Sequence, residues 1–114
     1  LKNMSQAQQM DKESELFFKN ITNQDFVVLL DEKGKEFRSV EFADYLSKKM
    51  VSGVTHMVIL IGGPYGFAEK VRERANYLVS LSKMTFSHQM VRLFFVEQVY
   101  RAFSIMKGEP YHHE

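Results

Sequence analysis

The sequence contains no cysteine, which excludes disulfide bonds and thiolate metal sites. Long apolar runs are also absent. None approaches the ~20 residues that a membrane-spanning helix needs, and the opening residues lack the apolar core of a secretion signal. We therefore expect a cytoplasmic protein with no membrane partner.

Strong charge of either sign is missing as well. The formal net charge of +1 argues against a protein that coats nucleic acid by bulk electrostatic attraction, although a local basic patch is compatible with it. The 114 residues are enough for one globular domain, residues 1–114, and too few for two. Because the chain does not begin with methionine, we expect that it starts part-way into a longer protein.

The pattern of apolar residues predicts helices that alternate with short buried strands. The predicted helices are residues 4–20, 39–53, 67–76 and 87–106, and the predicted strands are residues 26–30, 57–61 and 77–81. Ser39 is the predicted cap of the second helix, and "DEKGK" is a predicted turn in which Gly34 supplies the flexible backbone. Alternation of this kind predicts an α/β layer fold around a mainly parallel sheet. Three strands are few for that fold, which suggests that N-terminal strands are missing.

A glycine-rich motif, "GGPYG", lies directly between the second predicted strand and the helix that follows it. Glycines at residues 62, 63 and 66 let the backbone approach a ligand at the carboxyl edge of the sheet, where open α/β folds bind small molecules. The motif matches neither G-x-G-x-x-G nor the Walker phosphate loop. A ligand loop and a tight strand-to-helix turn both remain open.

The stretch "SLSKMTF" is polar and short, and it leads into the last helix. Its hydroxyls, on Ser80, Ser82 and Thr85, and its main-chain groups can line a pocket for an uncharged group the size of adenine. Helix capping by Thr85 or Ser87 is the alternative, and the two roles can coexist.

The last helix is apolar on nearly every side, so its whole circumference should be buried. A domain this small can cover one or two sides of it, and we expect a second copy of the chain to cover the rest as a homodimer. The central helix of a monomer is the alternative. Among its few polar residues, Arg92 and Arg101 could face phosphates, or Arg101 could pair with Glu97 four residues away. His88 could serve a site or satisfy backbone groups.

The tail places an aromatic ring, Tyr111, beside two protonatable side chains, His112 and His113. This combination suits stacking on an exposed base and contact with its phosphates; a frayed terminus and adventitious metal binding are the alternatives. Adjacent histidines without carboxylate or cysteine support make a poor metal site, so we expect no metal. There is no G-x-S-x-G elbow or cysteine for nucleophilic catalysis.

Two longer segments carry a resemblance to a known family. "VILIGGPYG" and "SLSKMTFSHQMVRLFFVEQVYRAFSIMKGEPYHHE" closely resemble the bacterial ribosomal RNA large subunit methyltransferase H family, the pseudouridine N3-methyltransferases of the SPOUT superfamily. "LLDEKGKEFRSVEFA" resembles the family's first cofactor segment. The family normally opens with a strand, a helix and a strand that are absent here. It also usually has proline where Ser87 stands, and serine can cap the helix instead.

The resemblance implies a SPOUT-type α/β fold with a deep C-terminal trefoil knot, whose loops bind S-adenosylmethionine. It also implies a homodimer that acts on the ribosome and methylates N3 of a pseudouridine in 23S rRNA. A non-catalytic dimeric factor of the same fold that binds RNA or ribosomes is the alternative.

The resemblance further implies roles for individual residues. The positions that match cofactor contacts are Leu30, Gly62, Gly63, Leu81, Ser82, Lys83, Met84, Thr85 and Phe86. The positions that match contacts with substrate RNA are His88, Arg92, Arg101, Tyr111 and His112. The candidates for accepting a proton during catalysis are His112, Tyr111 and His88.

Overall fold

Helices and strands alternate along the chain in the computed structural model, which describes residues 5–63 and 65–110. The elements are α1 (Gln6–Asn20), β1 (Phe26–Glu36), α2 (Ser39–Val51), β2 (Met57–Ile61), α3 (Glu69–Arg74), β3 (Tyr77–Ser80) and α4 (His88–Met106). The predicted order of elements is thereby confirmed. The single-domain span and the threading of the C-terminal segment stay predictions.

The sheet has the strand order β2-β1-β3, and β1 pairs in parallel with both neighbours. Residues 27–30 of this central strand are buried because helices cover both faces of the sheet, which explains their uninterrupted apolar character. Leu30 lies opposite Ile61 of β2 and Val79 of β3. The carboxyl ends of all three strands therefore meet at one edge.

The turn predicted at "DEKGK" is wrong, because β1 continues to Glu36. Its pairing with β3 is irregular there, since Leu30 and Lys35 are both in register with Val79. A Cβ on Gly34 would lie only 2.6 Å from the carbonyl carbon of Leu78. Glycine is needed at this position because two backbones approach each other closely, and a flexible turn is not the reason.

Two hydrophobic clusters lie on opposite faces of the sheet. On one face, α2 and α4 pack through Phe42, Leu46, Phe95 and Ala102. On the other face, residues from α1 and from the α3 region meet, with the rings of Phe17 and Phe67 5.9 Å apart. Helices on both faces of a parallel sheet confirm the predicted α/β layer architecture.

The start of α2 differs from the prediction that Ser39 caps it. Arg38 occupies the cap position, and its backbone N–H donates to Oε1 of Glu41 at 2.7 Å. Ser39 is already helical, and its Oγ donates to Oε1 of Gln98 on α4 at 2.7 Å. The hydroxyl therefore joins two helices. The predicted cap at Ser87 is confirmed, because its Oγ accepts from the N–H of Met90 at 3.3 Å.

The third helix is shorter than predicted, with six residues in place of the predicted span 67–76. Phe67 is buried in the core before the helix begins. At the other end, the N–H of Asn76 donates to the carbonyl of Val27 at 2.8 Å, and its Oδ1 accepts from the N–H of Val27. Asn76 therefore bonds to the backbone of β1 and cannot continue the helix.

The hydroxyl of Tyr45, on α2, is buried without a hydrogen-bond partner in the described residues. Tyr45 stacks on Tyr77 with ring centroids 4.9 Å apart, and its Oη is out of contact with solvent. Burial of the hydroxyl, and secondarily the nearby Tyr77, raises the pKa of Tyr45 from 10.0 to about 12. The fold therefore disfavours the ionised form of this side chain.

We expect Tyr45→Phe to raise the free energy of unfolding by about 1 kcal/mol, because it removes a buried polar group that has no partner. In the wild type, the unfolded tyrosine ionises near its pKa of 10.0 while the folded one stays protonated to about 12. The unfolded state then binds fewer protons, so stability falls as pH rises through this window. Urea titrations at about pH 8 and about pH 11 measure both effects, and the gap between variant and wild type should widen at the higher pH. A constant gap would contradict the assignment.

Candidate functional site

The carboxyl edge of the sheet opens into a cavity of about 920 Å³. Most of its lining comes from three segments far apart in the sequence: residues 30–33 of β1, residues 61–63 and 65–67 at the end of β2 and just beyond it, and residues between 81 and 91 after β3. Parallel strands bring these segments together because their carboxyl ends share one edge. Gly62 and Thr85 consequently line the same hollow.

Most of the residues predicted to contact a cofactor line this cavity. They are Leu30, Gly62, Gly63, Leu81, Ser82, Met84, Thr85 and Phe86. Lys83 is not among the lining residues, although both of its neighbours are, and it is exposed. The Lys83 side chain therefore lies apart from the other residues that were predicted to contact the cofactor.

The residues predicted to meet RNA are distributed differently. His88 lines the cavity, whereas Arg92 lies outside it on the exposed first turns of α4. Arg101 is outside the cavity as well, and its Nη2 pairs with Oε2 of Glu97 at 2.8 Å, the alternative that the spacing allowed. Tyr111 and His112 lie outside the described residues.

The glycine motif after β2 is both a tight turn and a wall of the cavity. The N–H of Gly66 donates to the carbonyl of Gly63 at 3.1 Å, which closes the turn. Gly66 has a φ of 78°, a left-handed conformation that other residues adopt at a cost. Both functions left open by the sequence are therefore compatible with this loop.

Internal hydrogen bonds hold the segment after β3. The Oγ of Ser80 donates to the carbonyl of Ser82 at 3.0 Å, and the N–H of Met84 donates to Oγ of Ser82 at 3.0 Å. Thr85 is free of the capping role, which Ser87 performs, and it lines the cavity. The hydroxyls of Ser80 and Ser82 thus shape the loop, and the apolar side chains of Leu81, Met84 and Phe86 line the cavity beside Thr85.

The cavity also contains an ion pair that sequence reasoning missed. Nη2 of Arg72, on α3, lies 2.5 Å from Oδ2 of Asp31, and the N–H of Lys33 donates to Oδ1 of Asp31 at 2.9 Å. Asp31 and Arg72 both line the cavity. The position of Asp31 directly after a buried apolar run, at the edge where ligands bind, was the available signal.

A smaller cavity of about 480 Å³ lies on the other side of the segment after β3, between the start of α2 and α4. It shares Leu81, Ser82 and Phe86 with the larger cavity but has no glycine loop in its lining. Within residues 5–63 and 65–110, no three His, Asp or Glu side chains converge as a metal site requires. No helix in the same ranges is long and apolar enough to cross a bilayer.

A family model described as "Predicted SPOUT methyltransferase" matches residues 1–112 of this chain. The chain belongs to the SPOUT methyltransferase family. This membership confirms the resemblance carried by the glycine motif and the last helix, and it makes the sheet-edge cavity a candidate methyl-donor site.

Curated relatives in the SPOUT family match nearly the whole chain. The protein of Christiangramia forsetii named ribosomal RNA large subunit methyltransferase H is 59% identical over 112 residues, which are 98% of this chain and 71% of that protein. Proteins of the same name from Parabacteroides distasonis and Bacteroides thetaiotaomicron are 57% and 58% identical, and the matches cover 73% and 72% of them.

A solved SPOUT-like fold is also similar. The crystal structure of Archaeoglobus fulgidus Nep1 bound to S-adenosylhomocysteine superposes with a TM-score of 0.52 and 17% sequence identity. The match covers 88% of this chain and about half of that one, 52%. At this identity the likeness supports the fold, and it agrees with the parallel sheet described above.

Replacement of Gly66 by alanine should weaken ligand binding, because the left-handed turn at the cavity wall must change. Gly53→Ala is a matched control, since Gly53 also has a positive φ, 101°, but lies beyond α2 with open space around it. We expect each variant to lose about 1 kcal/mol of stability. Only Gly66→Ala should also lose about tenfold in affinity for S-adenosylhomocysteine by calorimetry. Equal affinities of the two variants for S-adenosylhomocysteine would show that the glycine loop does not form part of the binding site.

Proposed function

We propose that this chain uses S-adenosylmethionine, bound in the sheet-edge cavity, to methylate RNA of the large ribosomal subunit. The observation that carries the proposal is the convergence of three predicted cofactor segments on one cavity. The names of the curated relatives support the substrate class. The resemblance of the last helix and tail to the pseudouridine N3-methyltransferases favours N3 of a pseudouridine in 23S rRNA as the acceptor.

The cavity fits a cofactor of this kind. Pockets for drug-sized ligands usually measure about 300–1,000 Å³, and this one measures about 920 Å³. A Cβ on Gly62 would lie 3.1 Å from the carbonyl oxygen of Gly66, so a side chain there would force the loop to shift by a few tenths of an ångström. Leu30, Gly62 and the segment 81–86 would hold the cofactor, which supplies a methyl group made electrophilic by its sulfonium.

The contribution of the protein is mainly alignment of donor and acceptor. Correct orientation of two reactants can lower the activation barrier by about 7–11 kcal/mol. Loops that are already held by internal hydrogen bonds favour this orientation, because little additional ordering is needed when the cofactor binds. The proton on N3 must also leave. His88 is exposed at the rim of the cavity and is one candidate acceptor; Tyr111 and His112 are the others by resemblance.

We also propose that two copies of the chain associate through α4, in the cytoplasm where ribosomes are assembled. One side of this helix packs into the core through Phe95 and Ala102. The opposite side remains apolar and open, with Leu93 and Val96 61% and 60% exposed. An apolar face of this extent on a helix that is already half buried favours a second copy of the same helix as its cover.

Methyl transfer can be tested on ribosomes. We expect the protein to move a radiolabelled methyl group from S-adenosylmethionine into large subunits isolated from cells that lack this modification. Analysis of the digested RNA should place the label on a pseudouridine. Binding of the cofactor by calorimetry without incorporation would favour the non-catalytic ribosome-binding alternative, and it would reject the enzyme.

Association through α4 can be tested by a charge on its open side. Leu93→Glu should turn a dimer into a monomer in analytical ultracentrifugation, because burial of an unpaired carboxylate at an interface is costly. Val51→Glu is the matched control, since Val51 is 86% exposed at the end of α2. A Leu93→Glu protein that sediments like the control would place the interface elsewhere.

A further inference from the structure

The ion pair between Asp31 and Arg72 joins two walls of the cavity. Asp31 follows the regular part of β1, and Arg72 lies on α3, beyond the glycine loop. A Cβ on Gly66 would lie 3.8 Å from Nη2 of Arg72, so the guanidinium lies close to that loop. The same nitrogen contacts Asp31 at 2.5 Å. The Arg72 side chain thus contacts the first of the three cavity segments and lies close to the second.

The ion pair between Asp31 and Arg72 is more buried than the ion pair between Lys70 and Asp11. The side chains of Arg72 and Asp31 are 29% and 7% exposed, whereas those of Lys70 and Asp11 are 49% and 60% exposed. Removal of charges from water costs about as much as their attraction returns, so burial of a pair is a weak source of stability. A role toward a ligand accounts better for its position in a cavity wall.

The pair has unused hydrogen-bonding capacity. A guanidinium carries five N–H donors, and among the described residues the guanidinium of Arg72 donates one hydrogen bond, to Asp31. The carboxylate of Asp31 accepts from Arg72 and from the N–H of Lys33. Since a carboxylate offers about four lone-pair sites, acceptor capacity remains as well. Spare donors and spare acceptors therefore lie side by side in the wall.

We propose that Arg72 binds the α-carboxylate of the amino-acid part of the cofactor, and that Asp31 is the positioning residue that holds the guanidinium for it. The proposal rests on the proposed function, since S-adenosylmethionine and S-adenosylhomocysteine both end in an amino-acid zwitterion. A planar guanidinium matches a carboxylate geometrically, and hydrogen bonds between charged partners are about twice as strong as neutral ones. The other cation in the wall, Lys33, is exposed, so water screens its charge more strongly.

The test compares two ligands that differ in the zwitterion. 5′-Methylthioadenosine retains the adenosine and the sulfur of S-adenosylhomocysteine but lacks the amino-acid group. We expect Arg72→Gln to weaken S-adenosylhomocysteine by roughly 10–100-fold in calorimetry. Its affinity for 5′-methylthioadenosine should stay within about twofold of wild type. Arg72→Lys should recover part of the lost affinity, because it keeps the charge without the planar fork.

Lys70→Gln is the matched control, because it removes one positive charge from the same helix at an exposed pair outside the cavity. It should leave both affinities unchanged. If Arg72→Gln weakened the affinity for both ligands equally, or for neither, the assignment would be overturned. Recovery of affinity in Arg72→Lys shows that the loss in Arg72→Gln is not a folding defect. Wild-type protein that binds neither ligand would overturn the proposed function, and this inference with it.

Discussion

The central strand β1 pairs in parallel with β2 on one side and with β3 on the other, and Leu30 is in register with Ile61 and Val79. This pairing requires residues 27–30 to be apolar throughout, because helices lie on both faces. It also sends the chain out of every strand at the same edge. Segments that are distant in sequence become the walls of one cavity for this reason, without any side chain having to bring them together.

The helix α4 connects the cavity with the surface of the domain. Its cap at Ser87 closes the segment that lines the cavity, and its body contributes Phe95 and Ala102 to the core. The side that faces away from α2 is apolar and uncovered, as at Leu93. Binding of a second copy there would stabilise the same element that fixes the cavity wall, so assembly and ligand binding are expected to be coupled.

Much of the fold followed from hydrophobic pattern, since buried strands and amphipathic helices leave clear signals. The predictions were wrong at positions where contacts between distant parts of the chain determine the local structure. Gly34 was predicted to lie in a turn because its close approach to β3 is not visible in the sequence. Ser39 was predicted to cap α2 because its hydrogen bond to Gln98 joins residues that are far apart in the sequence. Most of the residues that the resemblance assigned to the cofactor line the cavity. The resemblance did not locate Arg72, which lies on a short helix outside the motifs and reaches the cavity only through the fold.

The strand order has a consequence for synthesis of the chain. β1 lies at the centre of the sheet, yet both strands that pair with it come later in the sequence. On a translating ribosome, its apolar backbone emerges with two open edges, and the second edge closes only after Ser80 has left the exit tunnel. Until β3 has emerged, the apolar central strand therefore keeps one edge unpaired, and contacts with other chains compete with folding during that interval.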